Sequence, residues 1–534
     1  MHAVLVLLLA LPAAAALLCV RIPLRIAPAV TAVSGVACFG LVLALIPTAA
    51  HGDLEYARLL RVDALSAVFL LATGFLYAAV AIYSVGYLSA GHAADGNDQE
   101  TRRYARRFWV GLNIFAWAML AAPLMSNLAL LWVAIEITTV VSALLVAIEN
   151  TDGAAEAAWK YVLLASAGLG LALLATIFAY YAGAHVLGQS YDLGFTQLLT
   201  VAHRLPHAAV QLTFVLAVLG YGTKMGLFPV HTWLPDAHSE APTPVSALLS
   251  GSLLAICFYA ILRYYQVSEA AIGSRFPRDV LLVFGVASLL LAALYLFGQR
   301  DIKRLLAYSS VEHMGILAIG VGFGAPVALA GVLLHVLGHA AAKGNAFMGA
   351  GVFVRKFGTK RIANIRGGLD LLPWSGPLFV LAIFALGAMP PFGLFRSEFE
   401  IVAGGLEARS YVLAAILIIG VTVAFLGLAG SVTQMLMEPA RPAQQPAREL
   451  VSAAAAHPES GSAAAGNAVR PAAALAATPA RAATATLSRG EPTAWMVVPV
   501  VAGALALLIL GIHPPAELTE LFSRAVALLS RGGS

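Results

Sequence analysis

Six ionisable side chains stand inside stretches built of Leu, Val, Ala and Ile. They are Glu136, Lys224, His335, His339, Lys343 and Glu398. A charged side chain at the centre of a bilayer costs about 3 kcal/mol, so a chain that keeps several of them in apolar segments must use them. His335, His339 and Lys343 recur at four-residue intervals, which on a helix stacks them on one face about 6 Å apart. This spacing predicts a path for protons.

Glu136 lies near the middle of the apolar span LLWVAIEITTVV. It could stay protonated and hydrogen-bond a neighbour such as Thr138 or Thr139. Alternatively it has a cationic partner, for which Lys224 is the candidate, because an isolated buried ammonium loses its proton whereas a nearby carboxylate holds it. Moving one charge of such a pair in a low-dielectric site changes how strongly the lysine holds its proton. The pair could therefore load and release protons as a pump does.

The two histidines have other interpretations. Their four-residue spacing suits two imidazoles that bind one metal ion from a single helix. However, no Glu follows His335, no third ligand stands out, and Lys343 on the same face would repel a cation. We therefore expect no metal here, while a purely structural role for both histidines stays open.

A polar segment over 231–244, HTWLPDAHSEAPTP, joins two apolar spans. Its ionisable members are His231, Asp236, His238 and Glu240. A solvated turn that caps the next helix would explain the segment, since Ser, Asp and Pro favour helix starts. It could equally be a point where protons enter.

The elements that must position these residues follow from the composition. Of 534 residues, 60% are hydrophobic and only 11% are charged, and the mean hydropathy is +0.86. Soluble domains are about half apolar and one quarter charged, so this composition indicates a membrane protein. Apolar windows of roughly 20 residues recur about fourteen times along the chain. The sequence therefore predicts an all-α polytopic membrane protein with about fourteen transmembrane helices.

Two spans, near 208–229 and 375–400, are interrupted by Gly and Pro in GYGTKMGLFP and GAMPPFG. Proline opens the helical hydrogen-bond ladder, which lipid does not tolerate unless protein or water satisfies the freed groups. Broken helices in corresponding positions of two halves indicate an ion site in transporters. We therefore predict two five-helix repeats, inverted because five is odd. Our count along the chain sets the two breaks one helix out of register.

The predicted organisation has five regions. They are a three-helix segment over 1–100, the two repeats over 101–272 and 273–438, a disordered low-complexity linker over 439–492, and a final transmembrane helix with a short tail over 493–534.

The distribution of Lys and Arg predicts the topology. Arg21 and Arg25 follow the first span, which favours a retained helix with an outside N-terminus over a signal peptide. The basic loops at 102–107, 300–304 and 355–366 then all become cytoplasmic. We expect a multi-pass protein of the bacterial-type inner membrane with both termini outside the cytoplasm. The net charge of +5 is explained by this loop bias, so no nucleic-acid partner is predicted.

Cofactor motifs are not apparent in the sequence. Cys19, Cys38 and Cys257 all lie in apolar spans, where their spacing gives neither a metal-ligand set nor a disulfide framework. A Gly-rich dinucleotide turn and a Cys cluster for iron and sulfur are also lacking. We expect no cofactor, which leaves electron transfer to partner subunits.

Four motifs carry a resemblance to a known family. They are TKMGLFPVHTWLPDAHSEAPTPVSALLSG, DIKRLLAYSSVEHMG, the helix of His335, His339 and Lys343, and PPFGLFRSEF. Over most of residues 60–437 the chain resembles the proton-translocating antiporter-like subunits of respiratory NADH dehydrogenase complexes, Mrp-type cation/proton antiporters and group 4 hydrogenases. The sequence EHMG within the second motif is most similar to the F-type subunit of hydrogenase-4, a formate-hydrogenlyase-like complex.

The resemblance implies fourteen core helices, two inverted five-helix repeats and broken seventh and twelfth helices. It implies that Glu136 is the charge-pair glutamate, that Lys224 is the pumping lysine, and that His335, His339 and Lys343 connect them to Glu398 on the exit side. Other membrane subunits and a peripheral hydrogenase or dehydrogenase arm would be the partners. The ion would be H⁺, with Na⁺ exchange left open.

Two features depart from the family pattern. Relatives often carry a Lys or His midway along the helix after WLPDAH, where this chain reads SGSLLAI. Ser250 or Ser252 with ordered water would therefore have to bridge the two halves. The exit position holds an acid, Glu398, where some relatives have Lys.

The sequence thus predicts a redox-inactive, proton-translocating subunit of a hydrogenase-4 or complex I-like assembly. Three alternatives remain: an Mrp-type antiporter subunit, an energy-coupling subunit for inorganic-carbon uptake that works with a soluble zinc protein, and a membrane scaffold without transport.

Overall fold

The computed structural model describes residues 1–95, 99–437 and 488–530, and most of these are helical. The first half forms α1 (His2–Arg21), α2 (Ala27–His51), the strands β1 (Leu54–Tyr56) and β2 (Leu60–Val62), α3 (Ala64–Asp95), α4 (Gln99–Ala121), α5 (Leu128–Val146), α6 (Asp152–Leu187), α7 (Phe195–Thr200), α8 (His207–Met225), α9 (Trp233–Glu240), α10 (Thr243–Leu248) and α11 (Leu254–Ile272). The second half forms α12 (Arg275–Tyr295), α13 (Ile302–Phe323), α14 (Pro326–Phe357), α15 (Gly368–Leu371), α16 (Ser375–Leu386), α17 (Gly393–Glu407), α18 (Tyr411–Met437), α19 (Val498–Ile512) and α20 (Ala516–Leu529). A π-helical turn, Leu249–Leu253, joins α10 to α11.

Within the described residues, thirteen helical stretches are long and apolar enough to cross a membrane. The shorter helices α16 and α17 together form one more interrupted span, which brings the number to the fourteen expected. Both interruptions predicted from Gly and Pro are present. The prediction of an all-α polytopic membrane protein is confirmed.

Each interruption has its own geometry. In the first, α8 ends at Met225 because Gly226 adopts a left-handed φ of 87°, and the chain enters α9 only at Trp233. In the second, α16 ends at Leu386 and α17 begins at Gly393. Each break falls in the fourth membrane helix of its five-helix block, so our sequence count that set them out of register was wrong. The inverted relation between the two blocks stays a prediction.

The centre of the bundle consists of α3, α11, α13 and α14. The membrane stretches that contain α11 and α13 are entirely buried within the protein, whereas most of α1, α12 and α18 faces outward with side chains such as Leu17, Leu294 and Val412. Close packing of α12 on α13 needs two glycines, because a Cβ on Gly285 would stand 2.9 Å from the backbone oxygen of Gly315. The candidate lysines and histidines lie in or beside this central layer.

A buried ion pair ties α3 to α11 at one end of the bundle. Arg263 donates to Asp63 at 2.7 Å, and both side chains are enclosed. Burial alone would raise the pKa of the Asp63 carboxyl, but the charges of Arg263 and Arg61 hold it below its usual range. Loss of one partner from such a pair costs about 3–5 kcal/mol. We call this end, which also carries the β1–β2 hairpin, the Asp63 end.

The chain after the last membrane helix also reaches the Asp63 end. There α20 is held by Arg524, which donates to Asp53 at 2.8 Å, and by Gln266, which donates to the backbone oxygen of Leu528 at 2.9 Å. The expected short tail therefore includes a packed helix.

The opposite end, which we call the basic end, carries Arg355 and Lys360. Of the linker predicted over 439–492, residues 439–487 lie outside the described part of the chain. The remainder is bonded at the basic end: Lys356 donates to the backbone oxygen of Gly490 at 2.8 Å, and Glu491 accepts a hydrogen bond from the Ser375 hydroxyl.

Candidate functional site

Lys224 occupies the last turn of α8, immediately before the break, and is fully buried. Its ammonium donates to three acceptors on α5: the backbone oxygen of Ile135 at 2.7 Å, Thr138 Oγ1 at 2.6 Å and Thr139 Oγ1 at 2.5 Å. Three acceptors satisfy all three N–H groups of an ammonium, and the carboxyl end of α8 adds a partial negative charge. The break in α8 thus places a lysine where polar groups, not lipid, surround it.

Glu136 is half-buried on the same helix, α5, and its Oε2 is enclosed without a hydrogen-bond partner. No ion pair of 4.0 Å or less joins Glu136 to Lys224 in the described part of the chain. Thr138 and Thr139, considered above as partners of the glutamate, instead accept hydrogen bonds from the lysine. Glu136 shares a helix face with Val133 and Val140, both exposed on the outside of the bundle.

Hydroxyl and aromatic groups lead from the lysine site towards α9. Ser142, one turn beyond Thr138, lies 2.8 Å from the hydroxyl of Tyr161. The Tyr161 ring packs on Trp233 with centroids 4.5 Å apart, and the Trp233 ring is 6.2 Å from His238. These contacts connect α5, α6 and α9 in the interior.

His238 stands between the two halves of the molecule. It is fully buried; its Nδ1 lies 2.8 Å from the backbone oxygen of Leu234, and its Nε2 is enclosed without a partner. Its ring centroid is 5.7 Å from that of Phe347, which lies one helical turn from Lys343 on the same face of α14. The segment over 231–244 is therefore not a solvated turn, because its helix α9 buries one face in the protein.

The other ionisable residues of that segment point to different surroundings. His231 is buried in the break, whereas Asp236 pairs with Arg304 at 2.6 Å and Glu240 pairs with Lys360 at 2.6 Å near the basic end. Glu240 and Lys360 line a cleft of about 360 Å³. Lys303 also lines it and donates to the backbone oxygen of Ser239 at 3.0 Å. The cleft leads from the basic end to the last turn of α9.

The two serines proposed as a bridge lie in the π-helical turn and have different partners. Ser250 Oγ is 2.7 Å from Ser310 Oγ on α13, while Ser252 Oγ is 2.8 Å from Thr73 Oγ1 on α3. Ser310 is adjacent in sequence to Ser309, which accepts a hydrogen bond from Lys343. Of the two serines, Ser250 is thus the one that reaches the second lysine site.

Lys343 is fully buried on α14 and faces α13. Its ammonium donates to the backbone oxygen of Leu306 at 3.1 Å and to the hydroxyl of Ser309. The acceptors are again one carbonyl and a hydroxyl three residues later on a neighbouring helix.

A cluster of three histidines begins about one turn from Lys343. The ring centroid of His313, on α13, lies 5.2 Å from those of His335 and His339 on α14. His313 Nδ1 is 3.1 Å from His335 Nε2, and both ring nitrogens of His339 are enclosed without a hydrogen-bond partner. The residues spaced four apart on α14 are therefore joined by one imidazole from the neighbouring helix α13.

The cluster ends on α17, just beyond the second break. His335 Nδ1 lies 3.0 Å from Ser397 Oγ, and Glu398 Oε1 is 4.0 Å from His313 Nδ1. Glu398 is nearly buried, and its Oε1 has no hydrogen-bond partner. The break before α17 thus brings a carboxylate against the histidines.

The structure joins four of the six residues singled out from the sequence, namely His335, His339, Lys343 and Glu398. Lys224 and Glu136 form a separate group on α8 and α5. Sequence reasoning missed His313 as a site residue, although it stands in the apolar span over 304–323 and the rule applied to the other ionisable residues would have found it.

The chain is similar to proteins of a known family. The family model described as NADH:quinone oxidoreductase/Mrp antiporter, TM, matches residues 125–426, which include all six candidates. A protein named hydrogenase-4 component F homolog from Methylacidiphilum infernorum is 36% identical over 394 residues, covering 73% of this chain and 81% of that protein. The chain belongs to the NADH:quinone oxidoreductase/Mrp antiporter family of membrane subunits.

Solved structures share the fold. A chain of the Mrp complex from Dietzia sp. aligns with a TM-score of 0.78 at 21% identity, over 99% of this chain and 98% of that chain. A chain of respiratory complex I from Thermus thermophilus aligns with a TM-score of 0.75 at 22% identity, over 98% and 99%. At these identities the likeness shows the fold alone.

Proposed function

We propose that this chain is a proton-translocating membrane subunit of a hydrogenase-4 or NADH dehydrogenase-like complex, in which redox reactions of partner subunits drive ion movement. One observation carries the proposal: two buried lysines, each held by carbonyl and hydroxyl groups, occupy one interior together with His238, three clustered histidines and a carboxylate. Polar groups of this kind are costly inside a membrane protein and mark proton relays. The relationship to a hydrogenase-4 component supports the class of complex.

Protons would enter through the cleft at the basic end, beside Glu240 and Lys303, and reach His238 at the end of α9. Imidazoles accept a proton at one ring nitrogen and release one from the other, and hydroxyls pass a proton by donating and accepting at once. From Lys343 the proton would move through His339 and His313 to the His335–Glu398 end. Ordered water would fill the gaps between these groups.

Lys224 would be a second loading site, reached from His238, and Glu136 would be its control. The glutamate lies on the outward face of α5, where a neighbouring membrane subunit can reach it, and the lysine is bonded to the adjacent residues of the same helix. A charge brought towards or away from Glu136 would change the potential at Lys224 strongly because the lysine is buried in surroundings of low dielectric constant. This mechanism uses the two charges of the pair expected from the sequence, acting at a distance and not through a direct ion pair.

The proposed orientation of the protein in the membrane follows from the Lys- and Arg-rich loops. The basic end would be cytoplasmic, and both termini would lie on the other side of the inner membrane. The peripheral hydrogenase or dehydrogenase arm would carry the redox centres. H⁺ is the ion proposed, because the ammonium groups of Lys224 and Lys343 repel a cation such as Na⁺ while carrying protons themselves.

The test is redox-driven acidification in vesicles that contain the complete complex. Lys224→Ala should lower proton movement per electron by about 100-fold, the range of a lost acid–base group. Lys356→Ala, which removes a lysine that bonds backbone oxygens at the basic end, is the matched control and should keep normal coupling. Normal coupling in the Lys224 variant would show that the chain is a scaffold.

A cation/proton antiporter subunit is the second candidate, since the fold resembles a chain of the Mrp complex from Dietzia as closely as it resembles a chain of complex I. The composition of the complex that purifies with the chain separates the two. A co-purifying hydrogenase or dehydrogenase arm supports the first, and a set of membrane subunits alone supports the second. A soluble zinc protein as the partner would instead indicate inorganic-carbon uptake.

A further inference from the structure

Three side chains from three different helices bring possible ligand atoms close together. His313 on α13, His335 on α14 and Glu398 on α17 each offer one ligand atom, and these atoms all lie within 4.8 Å of one another. The separation is 3.1 Å between His313 Nδ1 and His335 Nε2 and 4.0 Å between His313 Nδ1 and the carboxylate. Around a tetrahedral Zn²⁺ with bonds of about 2.0 Å, ligand atoms stand roughly 3.3 Å apart. The two nitrogens are therefore already near this spacing, while the carboxylate oxygen lies farther out.

The hydrogen bonds around His335 prepare it as a ligand. Ser397 donates its hydroxyl to the backbone oxygen of Leu394 at 2.8 Å, so its lone pairs accept the Nδ1–H of His335. That assignment leaves a lone pair on His335 Nε2, which accepts the Nδ1–H of His313 at 3.1 Å, and a bound metal ion would take the place of that proton. Fixing a histidine through its second nitrogen is the way proteins orient metal-binding imidazoles.

Unpartnered atoms at the same place point to a ligand. Glu398 Oε1 is buried and has no hydrogen-bond partner, and neither ring nitrogen of the adjacent His339 has one. Enclosed polar atoms are normally paired, so each such atom requires an explanation. Two imidazoles with one carboxylate are a ligand set suited to Zn²⁺ and similar transition metals, and His339 or water can supply the fourth ligand.

We propose that His313, His335 and Glu398 form a binding site for Zn²⁺ or a similar transition-metal dication, which blocks proton movement when bound. The sequence-based expectation of no metal rested on the absence of a third ligand and on repulsion from Lys343. His313 and Glu398 provide the missing ligands. The Lys343 ammonium is bonded to Leu306 and Ser309, on the far side of the histidine ladder from Glu398.

The consequence for transport rests on the proposed function, whereas metal binding does not. A bound metal uses the lone pairs of two imidazoles and one carboxylate that the proton path needs. It also ties α13, α14 and α17 together. Micromolar Zn²⁺ should therefore inhibit proton movement in the wild-type complex.

Binding is measured first, on the purified complete complex, with ⁶⁵Zn²⁺ and with X-ray absorption at the zinc edge. The expected result is one high-affinity Zn²⁺ with nitrogen and oxygen ligands at about 2.0 Å. His313→Gln and Glu398→Gln should each weaken binding by at least about tenfold, because each removes a ligand. His203→Gln, which changes an exposed histidine outside the membrane helices, is the control. Unchanged affinity in both site variants would overturn the proposal.

Inhibition is measured next, in vesicles with the same variants. Zn²⁺ should stop proton movement in the wild type and the His203 variant at the concentration that fills the site. Tight binding that depends on His313 and Glu398 but leaves proton movement unaffected would keep the metal site and remove these residues from the proton path. Absence of site-dependent binding would refute the metal site while leaving the proposed function standing.

Discussion

The two buried lysines are held in the same way by different helices. Lys224 donates to the backbone oxygen of Ile135 and to Thr138, three residues later on α5. Lys343 donates to the backbone oxygen of Leu306 and to Ser309, three residues later on α13. Each acceptor helix is the second of its predicted five-helix block. A carbonyl with a hydroxyl one turn on is thus a repeated cradle for an ammonium.

The surroundings beyond each cradle differ. Past Lys224 the next groups are the hydroxyls of Ser142 and Tyr161, whereas past Lys343 they include imidazoles, beginning with His339. A hydroxyl can pass a proton only by losing one as it gains one, while an imidazole can hold an extra proton near neutral pH. If these residues form the proposed path, the first half would transmit protons and the second half would store them.

The acids of the two halves are also placed differently. Glu136 is half-buried on the outward face of α5, while Glu398 is enclosed by α13, α14 and its own helix α17. A neighbouring subunit can act on Glu136 directly. Glu398 is placed to respond to changes within this chain, such as proton arrival at His313 or His335. In the proposed mechanism, control of the first half would therefore be external and control of the second half internal.

The strongest test of the comparison replaces each lysine by arginine. Arg keeps the positive charge but does not release its proton at any physiological pH. If both lysines load and release protons, Lys224→Arg and Lys343→Arg should each lower redox-driven acidification by about 100-fold. Electron transfer measured with an uncoupler present controls for assembly. Normal transport in one variant would show that this lysine supplies only a fixed charge, and the two cradles would not be equivalent.

Much of the fold could be predicted from the sequence because a bilayer imposes simple requirements. Each membrane crossing needs an apolar window, and a break in a membrane helix is recognisable in the sequence from Gly or Pro, as at Gly226 and at Pro390 and Pro391. The ladder of His335, His339 and Lys343 was also predictable, since residues four apart on one helix share a face. These features depend on one helix at a time.

Contacts between helices could not be predicted in the same way. Lys224 meets Thr138 across 86 residues of sequence, and Ser250 meets Ser310 across 60. Such pairings depend on the rotation and depth of two helices, which hydrophobic patterns leave undetermined in a bundle buried on every side. Glu136 illustrates the difficulty, because Lys224 bonds residues close to Glu136 in the sequence and not the carboxylate of Glu136 itself.

His339→Leu tests whether the imidazoles store protons. Its two nitrogens have no hydrogen-bond partner, so an apolar replacement of similar size should leave stability nearly unchanged. Proton movement should nevertheless fall, although by less than in the lysine variants, because His313 and His335 remain. Tyr161→Phe, which removes only a transmitting hydroxyl, should reduce it less. The measurements are acidification and the thermal unfolding of the purified complex. Equal losses in both variants would remove the distinction between storing and transmitting halves.

The smallest expected effect concerns the join between the halves. Ser250 and His238 both stand between the two lysine sites, so loss of one leaves the other. Ser250→Ala removes the bond to Ser310, worth about 1 kcal/mol, and should slow proton movement by roughly fivefold or less. Ser252→Ala should have a smaller effect because its hydroxyl bonds Thr73 on α3.

Combining Ser250→Ala with His238→Gln decides whether the two routes act in parallel. If they do, the double variant should lose far more transport than the product of the single losses, since no side-chain bridge would remain between Lys224 and Lys343. If the two residues act in series along one route, the double variant should be slowed by no more than about the sum of the two single slowdowns, because the times of successive steps add. Transport that survives the double variant at the wild-type rate would mean that the halves work independently, each with its own lysine and its own exit.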